Sequence, residues 1–449
     1  MGQRLGERIL RGGGPIAQPR SPVPPPDLPN PVIPAERYNP GVITPLVCLA
    51  LMLPLPQEPA PAPTSVLPKT GSWQAWLEIP GTTIPFQFDL ARVPGGYRAF
   101  LKNGHERIPI VAYHEGSSLR LHCLPYDSWI TAEIKSGGVR LDGEWVLKRG
   151  NGTESRMVFH ADHGYAPRFG DSGKTARGGP RVEGRWKVQF ENSTQPAVGI
   201  FVHEPHRVLG TFLTTLGDYR YLEGSWENNI LQLSCFDGAH AFRFDAQMDG
   251  DGRLGGMFYS RDTYSEVWTA RLDPLIELPD PFALTNLKPG SKLKDLVYTT
   301  LDGKPAPLKN LLAAPKPRII VLFGTWCPNC TDEARLLTRL SEQYADRGLD
   351  VLGLAFEHGD DTKGQLARIK KWQEALKVPY PILLGGSSDK AKASQRFPII
   401  DQVRAYPTTL FLKADGTVQA IHTGFTGPAA GLEHARLVES FELLVKEIL

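Results

Sequence analysis

From Gly71 to about Asp273, apolar and polar residues alternate in short runs broken by Gly, Pro, Asn and Asp. Trp73-Gln74-Ala75-Trp76-Leu77-Glu78-Ile79, Leu119-Arg120-Leu121-His122-Cys123 and Ala241-Phe242-Arg243-Phe244-Asp245 show the pattern. Successive side chains of a strand point to opposite faces, so a period of two at short spacing predicts antiparallel strands joined by hairpins. No run here carries a convincing helical period, and the region reads as all-β. It also reads as duplicated. Gly71-Ser72-Trp73 matches Gly184-Arg185-Trp186, and Leu119 to Cys123 matches Leu231-Gln232-Leu233-Ser234-Cys235. Leu141-Asp142-Gly143-Glu144-Trp145 likewise matches Leu254-Gly255-Gly256-Met257-Phe258, always at an offset of about 112 residues. Each copy holds about eight candidate strands, enough for a small barrel or half of a larger sandwich. Between the copies, the Gly-rich and charged stretch from Arg168 to Pro180 reads as a flexible connector.

Beyond Leu278-Pro279-Asp280-Pro281 the pattern changes to α/β. Arg318 to Phe323 and Leu349 to Ala355 are continuous apolar runs, as expected of strands buried on both faces. Amphipathic helices are predicted over Thr331 to Arg347, Lys363 to Leu376 and His434 to Leu449. Thr408 to Lys413 and Val418 to His422 form a hairpin across Ala414-Asp415-Gly416-Thr417. A parallel strand–helix–strand unit followed by an antiparallel pair is the result.

The N-terminus builds no core. Residues 12 to 66 are rich in Pro and Gly and read as disordered or processed. Within them, Val42 to Leu53 is an apolar stretch too short to span a bilayer and of the length of a signal-peptide hydrophobic region. Some 40 residues precede it, which fits a translation start downstream of Met1. The expectation is an exported, periplasmic protein, either free or membrane-associated. Charge is nearly balanced, 50 basic against 48 acidic residues, so no nucleic-acid partner is expected.

Five cysteines are too few for a disulfide scaffold, and two of them stand as Cys327-Pro328-Asn329-Cys330 where a buried strand hands over to a helix. Unpaired N–H groups at a helix N-terminus favour an anion, and the thiolate is the nucleophile of disulfide exchange. Cys327 is therefore the attacking residue, and Cys330, one turn further in, resolves the mixed disulfide. A zinc site would need a second ligand pair at suitable spacing, and a c-type haem site would need His where Thr331 stands. Neither a metal nor a cofactor is called for. Cys123 and Cys235, equivalent in the two copies, read as small core residues. Asp249-Gly250-Asp251-Gly252 reads as a hairpin turn, and His160, Asp162 and His163 read as strand residues rather than metal ligands.

Gly324-Thr325-Trp326-Cys327-Pro328-Asn329-Cys330, Glu333 and Tyr406-Pro407-Thr408-Thr409 make residues 282–449 resemble the TlpA/ResA-like branch of thioredoxins. The segment from Glu357 to Asp401 also resembles that branch's central insertion. A peroxiredoxin, which shares the fold, lacks a second cysteine three residues after the first. The resemblance implies a thioredoxin fold and a reductase of protein disulfides, re-reduced by a membrane thiol donor. It implies a cis Pro407, and a client groove shaped by Trp326, Pro328, Tyr406 and Pro407. Thioredoxins keep a buried Asp in the strand before the cysteines, where this chain has Val321. By resemblance Glu333 takes the proton role at Cys330; the competing reading is a solvated helix carboxylate.

The expected architecture is thus multidomain: a Pro-rich, signal-containing segment (1–70), two all-β antiparallel repeats (71–167 and 181–273) forming barrels or a sandwich, and an α/β thioredoxin-like domain (282–449). The alternative to a reductase is an envelope binding or scaffolding protein whose β repeats hold a partner. Exposed aromatic clusters on the β region would favour that alternative, and a groove between Cys327 and the β region would favour the reductase.

Overall fold

A computed structural model describes residues 66–150, 152–170, 181–290 and 292–449. The signal-like stretch and Cys48 lie outside the described residues. Eight strands come first: β1 (Gly71–Ile79), β2 (Thr82–Val93), β3 (Gly96–Asn103), β4 (Glu106–Glu115), β5 (Ser118–His122), β6 (Ser128–Lys135), β7 (Arg140–Lys148) and β8 (Glu154–His163). Each pairs antiparallel with the next, and β8 closes on β1. The alternation read in the sequence sorts inside from outside, with Trp73, Ala75, Leu77 and Ile79 facing the core and Gln74, Trp76 and Glu78 facing out. Eight strands enclose an interior that side chains can fill, here with Trp73, Phe86, Phe88, Trp145 and Phe159.

The second copy is a second closed barrel. Its strands are β9 (Gly184–Phe190), β10 (Ala197–Glu204), β11 (Arg207–Thr214), β12 (Gly217–Asp218), β13 (Leu222–Glu227), β14 (Ile230–Phe236), β15 (Ala241–Met248), β16 (Arg253–Ser260) and β17 (Tyr264–Leu272). β17 pairs with β9, and β10 with both β9 and β11, which closes the ring. The core is an aromatic stack in which Phe244 lies 4.3 Å from Phe212 and 4.4 Å from Phe258. Strand for strand the copies correspond, and the choice between barrel and sandwich falls to the barrel.

The barrels pack side by side rather than swinging on a connector. Phe236, at the end of β14, leaves its own barrel and joins the core of the first, 4.3 Å from Phe86 and 5.1 Å from Trp145. Arg168, read in the sequence as the start of a flexible connector, is fully buried between them. Its guanidinium donates to the Ser234 carbonyl at 2.8 Å and to Asn103 Oδ1 at 3.1 Å. A buried guanidinium needs acceptors, and this interface supplies them to both of its terminal nitrogens. The rest of that segment, 171–180, lies outside the described residues.

The third unit contains a seven-stranded sheet: β18 (Val297–Thr300), β19 (Pro305–Pro307), β20 (Arg318–Phe323), β21 (Asp350–Glu357), β22 (Ile382–Ser387), β23 (Thr408–Leu412) and β24 (Val418–Thr423). Helices α1 (Leu308–Leu311), α2 (Pro328–Gln343), α3 (Thr362–Leu376), α4 (Lys390–Arg396) and α5 (Leu432–Ile448) connect or flank them. The order is β19-β18-β22-β21-β20-β23-β24, parallel across β20, β21 and β22 and antiparallel elsewhere. Sequence reading missed β22 and α4 inside the insertion, because Gly385-Gly386 interrupts the apolar run that would mark a strand. α2 also starts three residues before the predicted Thr331, since Pro328 at its first position is pre-set for helical φ. Among the described residues no helix is long and apolar enough to cross a membrane.

Candidate active site

β20 is buried along its whole length and ends at Phe323, which delivers Gly324-Thr325-Trp326 and then Cys327 to the top of α2. Cys327 is the N-cap: its backbone is extended, and its sulfur accepts the Cys330 backbone N–H at 3.3 Å. The same sulfur lies 3.5 Å from the carbonyl oxygen of Tyr406, whose bond to Pro407 is cis. A thiol at Cys327 can thus donate to Tyr406, and a thiolate can accept from the helix terminus. Cys327 keeps 8% of its surface exposed against 2% for Cys330, so it is the more accessible of the two. Burial, together with the neighbouring Cys327 sulfur, pushes the Cys330 thiol well up, which holds its proton until a base takes it.

A buried carboxyl stands one helical turn further on. Glu333 follows Cys330 by three residues, on the same face of α2. It is 1% exposed rather than solvated, and burial pushes its carboxyl up to about 8. The Thr409 hydroxyl donates to Oε1 at 2.7 Å, while Oε2 is buried with no partner among the described residues. Thr409 pairs across the sheet with Val321, so the helix carboxyl lies beside the slot where thioredoxins place an acid on the strand.

The other predicted groove residues gather round the pair. The Trp326 indole donates to the Phe356 carbonyl at 3.0 Å and sits edge-on to Tyr406 at 5.6 Å. Pro328 is buried at the first turn of α2. His358, which sequence reasoning passed over, stacks on Trp326 at 4.4 Å. Thr325 is held by Glu357, which accepts from both its N–H and its hydroxyl at 2.9 Å.

Residues 289–421 match the AhpC/TSA family. Thioredoxin-like protein YneN of Bacillus subtilis is 27% identical over 138 residues, 31% of this chain and 73% of that protein. Thiol:disulfide interchange protein DsbE of Pasteurella multocida is 27% identical over 139 residues, 28% of this chain and 68% of its own. Thiol-disulfide oxidoreductase ResA of Bacillus thuringiensis subsp. konkukian is 22% identical over 129 residues, 29% of this chain and 66% of its own. The C-terminal third is a thioredoxin-like domain, similar to these proteins.

What surrounds the thioredoxin-like domain has no echo in its own sequence motifs. Asp218, in the second barrel, accepts the Gly427 N–H with its side chain, and its carbonyl lies 3.5 Å from Asn329 Nδ2. Arg220 of the same barrel pairs with Asp332 of α2, with Glu106 of the first barrel at 2.8 Å and with Asp237 at 3.4 Å. On the opposite flank, Lys371 of α3 pairs with Asp127 of the first barrel at 2.7 Å. There Gly150 passes so close to the His358 backbone that any side chain would collide with it. Between these contacts lies a cavity of about 530 Å³, reached by Trp326 and Thr325 from one side and by both barrels from the other. Arg220 and Asp332 carry no local pattern; only contacts spanning more than a hundred residues bring them together.

Proposed function

We propose that this chain is a thiol–disulfide oxidoreductase of the bacterial cell envelope that reduces disulfides in other proteins. The Cys327 thiolate attacks a client S–S bond, forming a mixed disulfide and releasing one client thiolate, which takes a proton from water. Glu333 as carboxylate removes the Cys330 proton. The Cys330 sulfur then attacks Cys327, the second client thiol leaves, and a Cys327–Cys330 disulfide remains. A membrane thiol donor returns the two electrons. Trp326, Pro328, Tyr406 and Pro407 form the rim on which the client chain lies. The observation that carries this reading is Cys327 at a helix N-terminus, more exposed than Cys330, with a buried carboxyl one turn further along the helix whose Oε2 has no partner among the described residues. Export is supported by the apolar stretch from Val42 to Leu53.

Insulin reduction driven by dithiothreitol tests it. The full chain should accelerate precipitation of the insulin B chain, and Cys327→Ser should abolish the acceleration. Equal, background rates from both proteins would remove the reductase reading. A binding protein is the second reading, and one feature favours it: Tyr113, His114, His122 and Trp129 line a hollow on the outer face of the first barrel, with Tyr113 half exposed. In that case the cysteine pair would be dispensable for partner capture.

A further inference from the structure

One flank of the Cys327 rim is closed and the other is open. Asn329, Phe425 and Gly427 lie against Gly217 and Asp218 of the second barrel, so no client chain passes there. Trp326 and His358 instead floor the cavity whose walls are both barrels. Its lining contains five cations and only two carboxylates, Asp127 and Glu357. Both carboxylates are already taken, Asp127 by Lys371 at 2.7 Å and Glu357 by Arg368 at 3.3 Å. The other three cations, Lys148, Arg149 and Arg261, have no ion-pair partner among the described residues. Arg261 is the most exacting of them. Its Nε is buried without an acceptor, and burial and the like charge of Arg149 outweigh the favourable field of Asp262 and Asp237, neither of which forms an ion pair with it. A guanidinium in that position loses free energy until something supplies the missing anion.

We propose that this cavity receives an acidic segment of the client, so that the disulfide presented to Cys327 is flanked by Asp or Glu residues held by Lys148, Arg149 and Arg261. Guanidinium groups match carboxylates in a two-bond geometry, and a cationic cleft between low-dielectric walls focuses its field on an approaching anion. His358 adds no repulsion or attraction of its own at neutral pH, because partial burial and the nearby Arg368 and Arg149 keep its imidazole below its ordinary value. It offers a flat face beside Trp326 on which the client backbone can rest. The proposal builds on the reductase reading for why a client comes to Cys327, but its recognition step is electrostatic and can be measured without redox chemistry.

Fluorescence anisotropy of two cysteine-free peptides on the full chain decides it, one rich in Asp and Glu and the other with Lys at the same positions. The acidic peptide should bind about tenfold more tightly or better at low salt, and the preference should shrink as salt is added. It should vanish in a Lys148→Glu, Arg149→Glu double variant, whose changes fall on exposed side chains and leave the packing intact; Arg261→Gln should reduce it partway. Equal binding of the two peptides, or a preference that survives the double variant, overturns the proposal. Disulfide-containing versions of the same peptides separate it from the reductase reading. Equal reduction rates for both would sink the acidic-client proposal and leave the reductase standing. Preferential binding of the acidic peptide with no reduction of either would do the reverse.

Discussion

The two barrels are copies, and they part company at one strand. In the first, β4 runs unbroken from Glu106 to Glu115. In the second, the same stretch is split into β12 and β13 by Tyr219-Arg220-Tyr221, with Arg220 at φ 65°. That left-handed conformation is uncommon for a residue with a Cβ and is held only where the surroundings require it. At the offset of about 112, Arg220 corresponds to Ile108, which packs against its own barrel's core. Breaking the strand turns a core position into a buried cation aimed at α2. Asp218 and Glu106, equivalent residues of the two copies, both hold Arg220, Asp218 by accepting its backbone N–H and Glu106 by pairing with its guanidinium, each at 2.8 Å. Duplication supplied two scaffolds, and one local break made the second a clamp on the helix that begins at the cysteine pair.

The largest effect should come from removing that clamp. Arg220→Ala leaves Glu106 buried without a cation and Asp332 and Asp237 with only Arg335 and His240, and should cost about 3–5 kcal/mol in urea unfolding. Ile108→Ala at the matching site removes partly buried apolar atoms and should cost about 2 kcal/mol. Equal losses would erase the distinction between the copies.

Glu333 gives the contrasting case of a buried acid with no cation. Its folded value of about 8 lies above the ordinary 4.5, so its contribution to stability is complete below pH 4.5 and is lost as pH rises through 8. Wild type should therefore weaken between pH 5 and pH 9, by the order of 3 kcal/mol more than Glu333→Gln does. Client reduction should show the same group kinetically. The wild-type resolving rate climbs toward pH 8 and levels off, whereas Glu333→Gln is slower by about a hundredfold and lacks that rise. Parallel stability curves for the two proteins would mean that Glu333 is charged throughout.

Gly217 and its counterpart His105 carry the same contrast at smaller scale. His105 is mostly exposed and pairs with Glu204 at 2.8 Å. Gly217, at φ 150°, abuts Asn329 so closely that a Cβ would collide with its side-chain amide. Gly217→Ala should cost about 1–2 kcal/mol, read as a lowered Tm, while His105→Ala should change stability by less than about 0.5 kcal/mol.

What the sequence disclosed follows the range of the interactions involved. Alternation and the 112-residue repeat are periodic, and both led to the right elements; the Cys327–Cys330 spacing is local and lies at the strand–helix junction. The burial of Glu333 was not legible, because a carboxylate in the first turns of a helix reads the same whether it faces water or Thr409. Thr409 itself stands out in the sequence only as part of the motif after Pro407. Arg168 looked like linker, since a charged residue in a Gly-rich stretch reveals nothing of acceptors 65 residues away in Asn103 and 66 residues away in Ser234. The clamp at Arg220 was invisible for the same reason.

The smallest effects are expected at Cys123 and Cys235, where the copies agree. Each ends a Leu-x-Leu-x-Cys run, is 1% exposed or less, and is a free thiol. Burial pushes Cys123 up to about 12 and raises Cys235 in the same direction, so neither offers a thiolate near neutral pH. Alkylation of the folded protein with iodoacetamide followed by peptide mapping should modify Cys327 and spare both. Cys123→Ala and Cys235→Ala should each cost about 1 kcal/mol and leave insulin reduction unchanged. Enlargement should separate them: Cys123 lies against Gly238 of the other barrel, close enough that a Cβ there would sit 2.6 Å from its own, whereas Cys235 is enclosed by its own core. Cys123→Met should therefore disturb the seam between barrels and Cys235→Met only the interior of one. The difference would be read as loss of protection from hydrogen exchange in β14 and β2 for the first and in the second barrel alone for the other. Identical exchange patterns would mean that the two barrels unfold as one body.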